Sequence, residues 1–267
     1  MPAILRNVTR TVLDSAETTA YTKSPSQDAL TFELTASSEF YICFKKPFST
    51  RHFNFDTANT VTGVVITVEY WDGTDWAEVL DIVDQTWGFT RSGFLSWVND
   101  GKWQPRKASP IDDVELYWAK ITVDQDLSAG TSLQSVLNLF CDEDMLQAYY
   151  PELVTDTRYL PEGRSDFIEQ LHAAKEWVVH RLKKDHLIKD ENQIEDINEV
   201  AIAATHATAW VILNPIAKDD GDKEKRDEAF NDANRELNRV KIDIDWDESG
   251  VIEDDEKDIG NIFIPRL

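Results

Sequence analysis

Apolar residues recur along this chain at two different spacings, and the change from one to the other divides it. From Ala29 onward they alternate with polar residues in short runs: "ALTFELTA" through Leu30, Phe32 and Leu34, "EFYICFK" through Phe40, Ile42 and Phe44, "TRHFNFD" through Phe53 and Phe55, and "VTGVVITVEYW" through Val64, Ile66, Val68 and Tyr70. A period of two predicts strands with one buried face. Asp72-Gly73 follows the last run and is a hairpin turn signal. "DWAEVLDIV", "QTWGFT", "GFLSWV", "VELYWAKITV" and "TSLQSVLNLF" complete nine or ten such runs. That many short strands, with no helical pattern among them, predict an antiparallel β-sandwich or jelly roll. Residues 1–27 are peripheral to this pattern, as one edge strand or an arm.

After Ser165 the spacing becomes three or four, which predicts three amphipathic helices. The first places Phe167, Ile168, Leu171, Ala174, Val178 and Leu182 on one stripe, with Asp166 and Glu169 at capping-box spacing. The second is expected from Gln193 to Leu213, with Ile194, Ile197, Ala201, Ala204, Thr208 and Val211 in line. Its alanines suit close approach of another helix, and Asn214-Pro215 should end it, because the residue before proline is pushed out of the α region. The third is expected from Lys223 to Val240, with Ala229, Phe230, Ala233, Leu237 and Val240 inward. Between the second and third helices, "KDDGDKEKRD" reads as a charged, exposed and mobile loop.

The two halves meet near Cys141. "CDEDMLQAYYPEL" predicts one short helix stopped before Pro151, and "VTDTRYLPEG" an irregular bridge. Beyond Val240, Ile242, Ile244 and Trp246 alternate with Asp243, Asp245 and Asp247, which is strand periodicity. An acidic spacer from Glu253 to Asp258 leads to an apolar tip of Ile259, Ile262, Phe263, Ile264, Pro265 and Leu267. Such a tip suits a neighbouring subunit or a partner's groove; folding back on its own helices is the competing reading. The expected organisation is α+β and multidomain: a β-sandwich over 1–141, a small helical bundle over 142–240, and an extended acidic arm over 241–267.

Charge sharpens this division. The chain carries a net charge of −23. Residues 1–141 hold 11 Lys+Arg against 18 Asp+Glu, and residues 142–267 hold 16 against 32, so the helical half carries −16 of the total. Tight nucleic-acid binding needs the opposite sign. An acidic surface borders nucleic acid without holding it, or meets a basic partner. No run of eighteen apolar residues spans a membrane, and no signal peptide is visible at the start. The two cysteines, Cys43 and Cys141, make no motif and read as small buried thiols in a reduced chain.

A catalytic set is not legible. There is no phosphate-binding glycine loop, dinucleotide fingerprint or nucleophile elbow. His172 and His180 lie roughly 80° apart on a helix, so they do not make a zinc pair. His52, His186 and His206 likewise read as surface or satisfied core residues. Asp243, Asp245 and Asp247 resemble the opening of a calcium loop, but Glu248 stands where the turn glycine is needed and Asp254 where the bidentate glutamate belongs. Adjacent pairs such as Asp112-Asp113 and Asp142-Glu143 do not make a glycosidase pair. The expectation is no enzyme, cofactor or metal.

Six of the nine tryptophans, Trp71, Trp76, Trp87, Trp97, Trp103 and Trp118, fall in the β half. Large rings fill a sandwich core, or they offer a platform on which sugars stack. Trp76, Trp87 and Trp103 are the candidates for the second role. Trp177, Trp210, Phe230 and Leu237 are the candidates for helix faces that meet other subunits.

With these pieces in place, the C-terminal half resembles the head-to-tail connector (adaptor) proteins of tailed bacteriophages. The similarity covers roughly residues 142–267: "DEDMLQAYYPEL" with its pair Tyr149-Tyr150, the helices starting at "SDFIEQL", "IEDINEVAIAATHATAWVIL" and "DEAFNDANRELNRV", and the extended arm. It is a likeness of layout, with no invariant motif. It implies a structural virion protein of the neck, made in the host cytoplasm. Its copies would form a ring, dodecameric by that resemblance, lining a channel through which DNA passes without being held. The implied partners are the portal protein, reached through the arm, and a tail-side stopper or tail terminator. The β half is absent from the smallest members of the family and is similar to β-sandwich modules of phage tails and baseplates. It would decorate the ring, cement neighbours or bind a sugar. The reading of a different class is a tail- or baseplate-associated glycan-binding module; an enzyme on a jelly roll is weaker still, with no residues to carry it.

Overall fold

The structure is a computed structural model, and it describes residues 10–13, 21–22, 30–44, 46–98, 100–107, 115–161, 166–185, 187–189, 191–194, 197–242 and 259–260. The chain is α+β and divides into two compact units, Met1–Asn138 and Leu139–Leu267.

The first unit contains β1 (Arg10–Leu13), β2 (Tyr21–Thr22), β3 (Leu30–Thr31), β4 (Phe40–Phe44), β5 (Thr50–Thr57), β6 (Ile66–Trp71), β7 (Trp76–Glu78), β8 (Leu80–Asp84), β9 (Gly93–Val98), β10 (Arg106–Lys107), β11 (Glu115–Val123) and β12 (Ser132–Leu137). They form two antiparallel sheets. One runs in the order β2-β1-β4-β11-β6-β7, with β10 added to the start of β11, and the other runs β3-β12-β5-β9-β8.

The alternation read from the sequence is the alternation of burial in β6, whereas β4 and the first half of β5 are buried on both faces. In β6, Ile66, Val68 and Tyr70 are buried while Thr67, Glu69 and Trp71 are half-buried. Inward residues of both sheets form one buried cluster, with Phe40, Ile42, Val68 and Ile121 from the first and Phe53, Leu95, Trp97 and Leu133 from the second. Phe32 meets Phe40 and Phe89 edge to face, with ring centroids 4.9 and 5.3 Å apart, the arrangement that ring quadrupoles favour. Asp72-Gly73 makes the expected hairpin between β6 and β7. The Asp72 carboxylate accepts from the amides of Thr74 and Asp75, each at 2.7 Å, and Gly73 takes a φ of +102° that suits glycine.

Two strand expectations need correction. "DWAEVLDIV" is not one strand: β7 belongs to the first sheet and β8 to the second, and the chain changes sheet at buried Val79. "QTWGFT" is not a strand at all, because Trp87, Gly88 and Phe89 all have positive φ.

The second unit contains α1 (Glu143–Tyr149), α2 (Pro151–Thr155), α3 (Ile168–Lys184), α4 (Asn198–Leu213), α5 (Asp220–Leu237), β13 (Lys241–Ile242) and β14 (Ile259–Gly260). α4 lies against both α3 and α5. Ala201, Ala203, Ala204, Ala207 and Ala209 of α4 are buried, and Thr205 and Thr208 return their hydroxyls to the carbonyls of Ala201 and Ala204 at 2.8 Å. No hydroxyl is therefore left unpaired in the seam.

The helix ends differ from expectation for identifiable reasons. Pro151 does not merely stop α1; it occupies the first turn of α2, where its missing N–H costs nothing. α3 begins at Ile168, after Phe167, with no capping box. Asp166 accepts from the Ile168 amide at 3.3 Å, and the Glu143 carboxylate, from α1, accepts from the Phe167 amide at 2.7 Å. Burial raises the Glu143 carboxyl above its ordinary range, opposed by that hydrogen bond.

α4 starts at Asn198, after a 3₁₀ turn over Glu191–Gln193. Asn214 keeps helical angles (φ −55°, ψ −45°) despite the following proline. The helix gives way one residue later, where Ile216 and Ala217 both bond back to the Leu213 carbonyl. The expected mobile loop is shorter than read, because Asp219 caps α5 by accepting from the Asp222 amide at 2.8 Å and most of "KDDGDKEKRD" is helix. Acidic Asp220 and Asp222 lie in the first turn of α5 and Arg235 in its last, matching the helix dipole.

Candidate functional site

The helices of the second unit meet along an alanine-rich seam on α4, and three large rings from α3, α4 and α5 collect at the surface. Trp177 stands one turn beyond buried Ala174 on α3, Trp210 one turn beyond buried Ala207 on α4, and Phe230 beside buried Ala229 on α5. Their ring centroids are 5.9 Å (Trp177–Trp210), 6.0 Å (Trp177–Phe230) and 5.3 Å (Trp210–Phe230) apart. The two tryptophans are half-buried and Phe230 is 37% exposed. The structure thus brings three of the four expected face residues into one cluster. It does not bring Leu237, which at 4% exposure belongs to the interior. Phe230, expected inward on the stripe of α5, is instead at the rim. In sequence, Glu176 precedes Trp177, and Asp227, which pairs with Arg226 at 2.7 Å, lies one turn before Phe230.

Two buried polar contacts lie within the same unit and escape sequence reading. Lys175 on α3 is fully buried. Its ammonium bonds Glu191 in the 3₁₀ turn before α4 and lies 3.1 Å from Glu176, with the Phe140 ring 5.9 Å away. A buried charge of this kind persists only when paired. Tyr150, between α1 and α2, shares a 2.7 Å hydrogen bond with Nδ1 of His206 on α4, and Tyr149 packs edge-on against the same imidazole at 5.4 Å. Burial lowers the His206 pKa, opposed by Asp232 and Glu236 of α5. Burial also raises the Tyr150 phenol, and the carboxylates of Asp232, Glu228 and Glu152 raise it further. His206 is therefore a satisfied core residue. Cys141 is a buried free thiol, 3.5 Å from the Thr208 hydroxyl, with its pKa pushed up to about 12 by burial. Such a thiol is inert.

The three candidate platform tryptophans of the β unit separate. Trp103 is 4% exposed and packs against Phe48, Tyr70 and Tyr117, with centroids 4.8, 6.0 and 6.3 Å away. It is core, and its role as a sugar platform is withdrawn. Trp76 is half-buried, between Tyr41 at 5.5 Å and Trp71 at 5.8 Å, with the Arg106 guanidinium and Lys120 ammonium over its ring. Trp87 alone stands out, at 66% exposure. It sits in the turn between β8 and β9 with φ +52°, followed by Gly88 at +68° and Phe89 at +64°. A bulky residue in this region costs of order 1 kcal/mol or more and persists only when its surroundings over-determine it.

The surroundings here do so. The Asp84 carboxylate accepts from the amides of Thr86 and Gly88, each at 2.7 Å, and from the Thr86 hydroxyl at 2.6 Å. Phe89 is anchored in the core. Buried Asn59 joins three loops, donating to the Gly88 and Val61 carbonyls at 2.9 Å and accepting from the Ser128 amide at 2.9 Å. Gly88 lies so close to Val64 that a Cβ there would come within 2.8 Å of it.

Of the apolar tip, the backbone of Ile259 is placed by the pairing of β14 with β13, Ile242 opposite Ile259 and Lys241 opposite Gly260. Ile262, Phe263, Ile264, Pro265 and Leu267 lie outside the described residues, as do the calcium-like Asp243, Asp245 and Asp247 and also His186. Among the described residues, no group of three or more His, Cys, Asp or Glu side chains is placed to hold a metal ion. No helix among them is long and apolar enough to cross a membrane. No protein-family model matches the chain, and no curated protein matches it significantly.

Proposed function

We propose that this chain is a structural protein of a tailed-phage virion, a head-to-tail adaptor whose copies form a ring between portal and tail. In this reading the two sheets make a β-sandwich of jelly-roll type and α3, α4 and α5 a small bundle. The observation that carries it is the aromatic cluster of Trp177, Trp210 and Phe230, one ring from each of three helices, left at the surface of an acidic unit. Aromatic residues in a partly exposed cluster are the residue types that anchor protein interfaces. Each ring buried by a neighbouring subunit contributes on the order of 1–2 kcal/mol. The −16 of residues 142–267 suits a wall along which DNA moves without adhering. The apolar tip from Ile259 to Leu267 serves as the portal-binding segment, and a stopper or tail terminator occupies the opposite side of the ring. The β unit lies outside the channel in this scheme.

The test is light scattering of the chain alone and mixed with a cognate portal ring. The wild-type chain is expected to join the ring. Phe230→Asp is expected to lose assembly while its circular dichroism and unfolding midpoint stay near wild type, and removal of 259–267 to lose portal binding with both units folded. Assembly with undiminished affinity by Phe230→Asp would refute the aromatic face.

A further inference from the structure

α3 carries two basic side chains into the interior of the helical unit, one turn apart on one face: His172, 5% exposed, and Lys175, fully buried. The Lys175 ammonium is paired, with Glu191 of the 3₁₀ turn before α4 and with Oε1 of Glu176 at 3.1 Å. His172 is not. Its Nε2 is buried without a hydrogen-bond partner among the described residues, and it lies 3.8 Å from that same Glu176 oxygen, beyond hydrogen-bond reach. One carboxylate oxygen therefore faces both basic groups, and the lysine holds it.

A neutral imidazole fits this place and an imidazolium does not. Burial lowers the His172 pKa, Glu176 and Glu191 oppose the shift, and Lys175 adds to it. Glu176 is 53% exposed, so water screens its attraction, while Glu191 is engaged by Lys175. A proton on His172 sets a second cation beside a buried ammonium. α4, packed against α3, brings two titratable side chains, Glu199 in its first turn and His206, and His206 is bound to Tyr150. The Phe140 ring, 5.9 Å from the Lys175 ammonium, adds apolar surroundings.

The part that can yield is the connection between the helices. Thirteen residues lead from Lys184 to Asn198, and the turn Glu191–Gln193 lies within them. Ile188 and Ile194 are buried on either side of that turn, and Glu191 ties it to α3 through Lys175. A 3₁₀ turn of three residues has few hydrogen bonds of its own to hold it.

We propose that His172 makes this closure sensitive to acid: a proton on its imidazole releases the Glu191–Gln193 turn from α3. With His172 neutral, the turn stays closed on Lys175. Opening lets water reach both basic side chains, so the open form takes up a proton that the closed form resists, and acid draws the equilibrium open. The device does not depend on whether the chain forms a ring.

The test is hydrogen exchange of the full chain at about pH 8 and about pH 5.5, read by mass spectrometry and corrected for the intrinsic pH dependence of exchange. From the ordinary histidine pKa of 6.5, opening of segment 187–194 is expected to rise by up to about tenfold at the lower pH, while segment 200–212 of α4 keeps its protection. His172→Gln is expected to stay closed at both. Glu191→Gln is expected to open the segment already at the higher pH, because Lys175 loses its partner. Should His172→Gln fail to fold, NMR titration of the His172 ring in the wild-type chain decides, with a midpoint below 6.5 expected and one at or above 6.5 overturning the proposal. Equal protection at the two pH values overturns it, as does a rise that persists in His172→Gln or a closed segment in Glu191→Gln. A rise shared equally by α4 is unfolding of the whole unit, and it overturns the local release.

Discussion

In the β unit, Phe32, Phe40, Phe53 and Phe89 meet in the buried core, whereas in the helical unit Trp177, Trp210 and Phe230 meet at the surface, beside a seam on α4 rich in buried alanine. The difference follows from what each kind of element leaves to be filled. Facing sheets stand about 10 Å apart and need large side chains to close the gap. Helices packed across alanine approach to the short end of the 8–10 Å range, which leaves no room for a ring between them. Rings on such helices move to the rim of the seam, where another molecule can reach them. Aromatic content alone therefore does not separate core from contact surface: Phe167, just before α3, is buried, while Trp71 and Trp76, on β6 and β7, are half-buried.

The largest expected effect tests the β side of this contrast. Phe53→Ala, at a fully buried position among the rings of Phe40, Phe55 and Phe89, should cost about 3–5 kcal/mol, measured by urea unfolding. A loss below about 1 kcal/mol would mean the sheets close without their rings.

Next in size is a dependence on pH from buried histidines, among which His172 of α3 also has its pKa lowered by burial. His206 has Tyr150 as a partner. His52 on β5 is buried, its Nδ1 is unpartnered, and burial lowers its pKa from 6.5 to about 4. In the folded state His52 stays neutral between those values, while in the unfolded chain it takes up a proton as the pH drops below 6.5. The unfolded state then binds more protons, so stability is full above pH 6.5 and is lost as pH falls towards 4, by about 3 kcal/mol if no other group compensates. His52→Gln should flatten this part of the profile. An unchanged slope would assign the loss to other groups.

The smallest effect probes the alanine seam. Ala204→Leu adds bulk at a fully buried position on α4 and should cost about 1–3 kcal/mol, read from the helical signal at 222 nm. Neutrality would show slack between the helices and weaken the account of why their rings are at the rim.

Much of this arrangement is legible in the chain itself. Alternation of residue type marked β4, β5, β6, β9 and β11, although β4 and much of β5 are buried on both faces, and the run of three and four marked α3, α4 and α5. Trp177 and Trp210 each stand one residue before a stripe position, Val178 and Val211, whereas Phe230 reads as part of the inward stripe of α5. Leu237 fails because a stripe residue near a helix end reads the same whether it is buried or at the rim.

Other features turn on separations that periodicity does not sense. Lys175 falls beside Ala174 on the stripe, and a charged side chain there reads as solvated; its partner Glu191 lies sixteen residues on. Tyr150 and His206 are fifty-six residues apart. "QTWGFT" has the composition of a strand, and only its single glycine, between two bulky residues, hinted at left-handed backbone. Pro151 was ambiguous because proline ends one helix and opens another equally well.

The pairing of Ile242 with Ile259 sets a leash on whatever follows it. Seven peptide steps lead from Gly260 to Leu267, and a fully stretched chain gains at most about 3.3–3.6 Å per residue, which bounds the reach beyond that anchor at roughly 25 Å. If, as proposed, Phe263 and its neighbours grip a partner, its groove opens inside that radius, which turns one short ladder into a ruler for the docking distance.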